Sequence, residues 1–223
     1  LNDGNAAAVW GHTTIFGNQP NKTSVSAIIG TGLGGGIIHK GTVVAGSRGF
    51  GGELGHVLLP TERLTAMLPE LAGVTAHCNC GRDGCLESLC SLTAIRKTLL
   101  PHYLQKHSDH PLASLDPAKA AIRVRGLAAA GDAMCQEIFR VQARALGLFF
   151  DQMINVFDPD TLIIGGGAIE TEEAFQKWFI NEVRKGMPSQ REEQLSIAIE
   201  IMPNGDTAGA RGAAIEAQRV LLS

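Results

Sequence analysis

A helix of small residues opens the chain, strand-like runs follow, helical periodicities fill the middle, and strands and helices alternate at the end. Residues 2–13, rich in alanine, read as the start of a helix that Asn2 or Asp3 would cap. Residues 16–22 are a polar turn region, and residues 24–30 (SVSAIIG) predict a strand. Residues 31–36 predict a glycine turn, residues 37–40 a returning strand, and Gly41 a tight turn into residues 42–45. Such short connections make an antiparallel β-meander. A second glycine-rich loop covers 46–55, and residues 57–59 predict a short strand ended by Pro60. In residues 61–71, Leu64, Met67, Leu68 and Leu71 recur at helical spacing. Residues 92–106 predict a helix, and 116–130 another that opens on an Asp-Pro cap pair. The longest helix is expected over 132–155, with Met134, Ile138, Val141, Ala145, Leu148 and Met153 on or near one face. A buried strand at 161–164 is stopped by Gly165-Gly166-Gly167; helix 172–184, strand 195–202 and helix 208–222 follow. This order predicts one α/β lobe, with the polar stretch 106–117 as the place for any division, near residue 110.

Composition narrows the class. With 223 residues the chain can bury a core without disulfide staples. Its 44% hydrophobic and 18% charged residues exclude a disordered chain. A net charge of −3 gives no basic field for nucleic acid or an acidic membrane. Eight Phe, two Trp and one Tyr disfavour stacking on single-stranded nucleic acid. No apolar run approaches the roughly 18 to 20 residues of a membrane span, and the start at Leu1-Asn2-Asp3 carries no signal peptide. Five cysteines cannot all pair internally; three lie within eight positions, which points to metal ligation in a reducing compartment, the cytoplasm. The Asn21-Lys22-Thr23 sequon then carries no meaning. Glycine is in excess at 27 residues, and the glycines cluster instead of recurring every third position, so the excess is not collagen-like.

The clusters carry the chemistry. His56 precedes Cys78-Asn79-Cys80-Gly81-Arg82-Asp83-Gly84-Cys85, where the glycines permit the tight turns that bring three thiolates together. His56, Cys78, Cys80 and Cys85 make a tetrahedral zinc set, with His77 as a competitor for the histidine position. Four protein ligands leave no open position, so the metal is structural. Cys90 and Cys135 read as small core residues. Gly30-Thr31-Gly32-Leu33-Gly34-Gly35-Gly36 lies between two strands. Its backbone N–H groups could cradle phosphate, or it is a plain hairpin; it is neither a Walker A loop nor a Rossmann fingerprint. Ile163-Ile164-Gly165-Gly166-Gly167 leads a strand into a helix, where a tight connection or a nucleotide turn is expected. Asn2-Asp3-Gly4-Asn5 is a helix cap or places a carboxylate as general base. Glu53 and Glu87 flank the metal motif as surface acids or as ligand contacts held by it.

Taken in order, these pieces resemble the ROK family of sugar kinases, repressors and open reading frames. The matching stretches are Asn2–Asn5, Gly30–Gly36, Gly52-Glu53-Leu54-Gly55-His56, Cys78 to Glu87, Ile164–Gly167 and Gly209-Ala210-Arg211-Gly212-Ala213-Ala214, from residue 1 to about residue 216. The resemblance implies an actin-like ATPase (ribonuclease H-like) α/β lobe with a β-meander, a zinc loop and packed helices. It implies phosphorylation of a hexose or N-acetylhexosamine by ATP with Mg²⁺, or, alternatively, a sugar-sensing repressor's effector domain. By the same resemblance Asp3 is the catalytic base, and Asn2, Glu53, His56 and Glu87 contact the sugar. Thr31, Gly32, Gly34 and Gly35 match a phosphate loop, Gly165 and Gly166 match the nucleotide side of the cleft, and a homo-oligomer is expected. Family kinases carry an Asp-x-Gly-Gly-Thr loop on a first strand. None precedes Asp3, so residues 1–223 read as the C-terminal lobe of a longer protein with half of the ATP site. The apolar insert between His56 and Cys78 reads as a lid, an interface or packing.

Overall fold

The computed structural model describes residues 2–17, 19–188 and 192–222. Leu1, Ser223 and Asn18, which fall in the expected lobe and turn region, lie outside the described residues. In chain order the elements are α1 (Asp3–Phe16), β1 (Ser24–Ile29), β2 (Leu33–His39), β3 (Thr42–Val43), α2 (Thr61–Met67), α3 (Leu92–Ala94) and α4 (Leu100–Leu104). Then come α5 (Pro117–Ala129), α6 (Ala133–Phe157), β4 (Thr161–Gly165), α7 (Glu173–Gly186), α8 (Glu192–Leu195), β5 (Ala198–Ile201) and α9 (Ala208–Leu222). The chain divides into two compact units. One holds Leu1–Gly55, Phe150–Glu170 and Ser189–Ser223; the other holds His56–Phe149 and Thr171–Pro188. The polar stretch around residue 110 lies inside the second unit, so the expected division point is not where the units part. Sequence proximity misled there, because the second unit is assembled from two segments, one between β3 and β4 and one between β4 and β5.

The first unit carries one five-stranded sheet in the order β3-β2-β1-β4-β5. β1, β2 and β3 form the expected antiparallel meander, while β4 joins β1 and β5 joins β4 in parallel. This mixed order is the ribonuclease H-like arrangement expected from the sequence. Helix α1 begins where Asn2 caps it, its Oδ1 accepting from the Asn5 N–H at 2.7 Å. It runs to Phe16, past the expected end, and stops at Gly17, whose φ of 60° leaves the helical region.

The glycine run departs from expectation. The hairpin closes at Ile29 and Leu33, with the Gly30 N–H donating to the Gly32 carbonyl at 2.9 Å. Gly34, Gly35 and Gly36 are strand residues opposite Ile28, Ala27 and Ser26. The reason is close approach on both faces: α1 packs over Gly36 and the Gly35 backbone, while a Cβ on Gly35 would collide with the Ser26 carbonyl oxygen. A Cβ on Gly36 would lie 2.7 Å from Ala8 Cβ, and one on Gly4 would lie 2.7 Å from the Gly35 nitrogen. Helix α9 packs on α1 just as tightly, since a Cβ on Gly212 would collide with the Ala6 carbonyl. Ala7, Ile163, Met202 and Ala208 form one core cluster there, and Ala8, Val9 and Ile38 another. The last strand is shorter than its pattern suggested: residue 195 closes α8, and pairing starts at Ala198 opposite Thr161.

The second unit is helical. Residues 57–59 do not form a strand; they make a single bridge, Leu58 to Cys85, because their partner is only the tight cysteine loop. Helix α2 stops at Met67, one residue before the extended Leu68 that precedes Pro69, and a single turn follows at Pro69–Leu71. Leu64, Leu68 and Leu71 are nonetheless buried, as the pattern required. The expected helix 92–106 is α3 and α4 joined by a wide turn at Ile95–Leu99. Pro101 has no N–H to return to Lys97, which loosens the helix at that turn. Asp116 caps α5, accepting from the Ala118 N–H at 3.0 Å. All six apolar positions predicted for α6 are buried. Phe139 of this helix packs on Phe175 at 5.2 Å and Phe179 at 6.2 Å, each such side chain worth about 1.5–3 kcal/mol when buried.

Candidate functional site

The residues singled out in the sequence fall into one group in the second unit and two in the first, and a further set of donor side chains, His110, Asp132 and Cys135, also meets in the second unit. In the second unit, His56, Cys78, Cys80 and Cys85 converge, with their ligand atoms all within 4.8 Å of one another. Three local features build this cluster. The Cys78 N–H donates to the Arg82 carbonyl at 2.9 Å and the Gly81 N–H to the Cys78 carbonyl at 3.0 Å, closing a tight turn. Gly81 and Gly84 take φ of 88° and 76°, a backbone region that side-chain-bearing residues rarely adopt. The Leu59 N–H donates to the Gly84 carbonyl and the Leu86 N–H to the Val57 carbonyl, both at 2.9 Å, which fastens the loop beside His56.

The donor set fits a tetrahedral metal. Cys80 Sγ and Cys85 Sγ are 3.6 Å apart, and Cys78 Sγ lies 3.6 Å from His56 Nδ1. Zinc–sulfur bonds of about 2.3 Å give a tetrahedral edge of about 3.8 Å. His77 does not join the cluster; its exposed ring pairs with Asp83 at 2.5 Å instead. Cys90 and Cys135 are fully buried, as expected of core residues. Arg82, an unremarked position in the sequence motif, donates to the His56 carbonyl at 3.0 Å. Its guanidinium also hydrogen-bonds the exposed Cys80 thiol and draws that thiol down to about 6, whereas burial pushes Cys85 up to about 12. A cation that neutralises thiolates would collect all three as ligands. Glu87 follows Cys85 by two residues, and its Oε1 lies 4.0 Å from Cys78 Sγ.

In the first unit, Asn2, Asp3 and Glu53 come together at the start of α1. Asn2 Nδ2 donates to Glu53 Oε1 at 2.9 Å, and Asp3 Oδ1 accepts from the Gly4 N–H at 2.9 Å. Both carboxylates lie where the helix N-terminus favours negative charge. Asn5, which the sequence offered only as part of a polar cluster, is 1% exposed and donates from Nδ2 to the Gly51 carbonyl at 2.8 Å.

The glycine motifs occupy the same unit. Thr31 and Gly32 form the hairpin tip, and Gly34 and Gly35 continue into β2. Gly165 ends β4, and Gly166 turns with φ of 93° over the Ile29 backbone, where a Cβ would collide. The loops after β4 and β5 lie together: Glu170 Oε1 accepts from the Asp206 N–H at 3.2 Å. Among the described residues, no helix is long and apolar enough to cross a membrane.

Comparison with known proteins gives the family. The sequence model of the ROK family matches residues 1–220. The glucokinase of Thermotoga maritima is 33% identical over 168 residues, covering 74% of this chain and 49% of that protein. An N-acetyl-D-glucosamine kinase of Vibrio vulnificus is 32% identical over 203 residues, covering 88% of this chain and 59% of that protein. The chain therefore spans about half the length of the curated relatives it matches. Among solved structures, a ROK family glucokinase from Streptomyces griseus in complex with glucose and AMPPNP superimposes with a TM-score of 0.76 at 26% identity, covering 98% of this chain and 67% of that one. A ROK family transcriptional regulator, a homologue of the E. coli MLC protein, gives 0.71 at 26% identity, covering 98% and 51%.

Proposed function

We infer that this chain, which belongs to the ROK family, is the larger, C-terminal part of an ATP-dependent kinase for a hexose or N-acetylhexosamine. The observation that carries the reading is the joined set Asn2, Asp3 and Glu53 at the start of α1. Phosphoryl transfer to a sugar hydroxyl needs a base at the nucleophile, a fixed acceptor and charge neutralisation on the phosphates. Asp3 is exposed and takes the hydroxyl proton, while Asn2 and Glu53 hydrogen-bond neighbouring hydroxyls. In the second unit, His56 and Glu87 are the further sugar contacts. His56 turns Nδ1 toward Cys78, so Nε2 is the atom that would meet the sugar. Zinc on His56, Cys78, Cys80 and Cys85 is structural and holds the loop carrying Glu87. Thr31 and Gly32 at the hairpin tip, with Gly34 and Gly35 at the start of β2, form the phosphate loop, and Gly165 and Gly166 receive the nucleoside. Mg²⁺ bound with ATP would neutralise charge on the phosphates. The two curated relatives, a glucokinase and an N-acetyl-D-glucosamine kinase, support this substrate class.

The test uses the full-length protein with ATP and a panel of hexoses and N-acetylhexosamines. Asp3→Asn is expected to keep sugar affinity while turnover falls by about 10²–10⁴-fold. A wild-type protein that phosphorylates no sugar in the panel would refute the kinase reading. The regulator neighbour supports a second reading, a sugar-sensing repressor's effector domain. A helix-turn-helix in the sequence preceding Leu1 would favour it, and an Asp-x-Gly-Gly-Thr loop there would favour the kinase.

A further inference from the structure

We infer that Asn5 is a positioning residue for Glu53: its buried amide fixes the turn before Glu53 so that the carboxylate meets Asn2. The functional consequence rests on the sugar-binding reading of Glu53; the contact itself rests on geometry. Residue 51 is held from both sides, its N–H donating to the Ala45 carbonyl at 2.7 Å and its carbonyl accepting from Asn5 Nδ2 at 2.8 Å. Gly52 follows with φ of 92°, and a Cβ there would collide with Asn5 Oδ1. On the other side, a Cβ on Gly36 would lie 2.8 Å from the same oxygen. The amide is thus enclosed between two glycines, one in β2 and one in the loop. Asn5 Oδ1 has no hydrogen-bond partner among the described residues.

That orphan acceptor argues against a role in packing alone, because a buried polar atom without a partner is costly and an apolar side chain would avoid the cost. What the amide does gain is the bond to Gly51. Asn5 also acts through its backbone, its N–H donating to Asn2 Oδ1 at 2.7 Å and orienting the amide whose Nδ2 reaches Glu53. Both ends of the Asn2–Glu53 contact are therefore set by residue 5.

The experiment compares full-length wild type with Asn5→Asp, which keeps size but faces an oxygen with an oxygen. Amide hydrogen exchange at residues 51–54 and KM for glucose, N-acetylglucosamine and ATP are measured together. Exchange there is expected to quicken about tenfold and the sugar KM to rise about tenfold, with ATP KM unchanged and the exchange of residues 78–85 unaltered. Adding Glu53→Gln to Asn5→Asp should then raise sugar KM little further, because the two act as one unit. Unchanged exchange at 51–54, or quicker exchange with unchanged sugar KM, overturns the inference. If wild type phosphorylates no sugar, the kinase reading fails, while the exchange measurement still decides whether Asn5 holds the turn. Should Asn5→Asp not fold, Gly52→Ala attacks the same contact from the loop side and is expected to raise sugar KM in the same way.

Discussion

His12 sits in α1 at 2% exposure, its Nδ1 2.8 Å from Ser24 Oγ and its ring 5.0 Å from Phe16. Burial, aided by the positive charge of Arg219, lowers its pKa from 6.5 to about 4. Between those values the unfolded chain binds a proton that the folded chain refuses. His12 therefore contributes stability that is present above pH 6.5 and lost as pH falls toward 4, with a slope of up to about 1.4 kcal/mol per pH unit. His12→Asn can still hydrogen-bond Ser24 but cannot titrate, so denaturant melts between pH 4 and 6.5 should show a shallower pH dependence than wild type. Equal slopes would show that another group dominates. At single positions the sequence was most legible where chemistry is unusual. The cysteine motif and His56 converge as the spacing required, while His77 lies outside that cluster and pairs with Asp83. Asn5 and Arg82 were opaque because their partners are backbone carbonyls 46 and 26 positions away.

Helices α1 and α9 illustrate how glycine serves packing. Gly212 allows their backbones to touch at Ala6, so Gly212→Ala is expected to destabilise by about 1–3 kcal/mol or more. A chemical-denaturation midpoint unchanged from wild type would refute that packing account. The same logic corrects the glycine turn expected over residues 31–36. Five glycines signal backbone freedom, but Gly34, Gly35 and Gly36 are extended in β2, where a Cβ on Gly36 would press on α1 and one on Gly35 would collide with the Ser26 carbonyl and Leu54. Element ends were legible where capping is local, as at Asn2 and Asp116, whose side chains bond N–H groups within three positions. They were misjudged where a distant partner sets the length, as at β5, which extends only as far as β4 offers pairing.

The cluster of His56, Cys78, Cys80 and Cys85 lies in the second unit. Cys80 is exposed, so Cys80→Ser removes a ligand without leaving a cavity. One zinc per wild-type chain is expected, with loss of the metal and a lower melting temperature in Cys80→Ser. Exchange should quicken at residues 56–90 while the strands of the first unit keep their protection. A folded wild-type protein without zinc, by elemental analysis after gentle purification, would overturn this. The antiparallel meander, the main helices, the cysteine triplet and the family motifs were readable along the chain, because each depends on neighbours a few residues apart. The two-unit division, the strand placement of Gly34–Gly36, the Asn2–Glu53 contact and the hold of Asn5 on Gly51 were not. Each joins segments far apart in sequence, and such pairings arise only when burial and hydrogen-bond satisfaction are met for the whole fold at once.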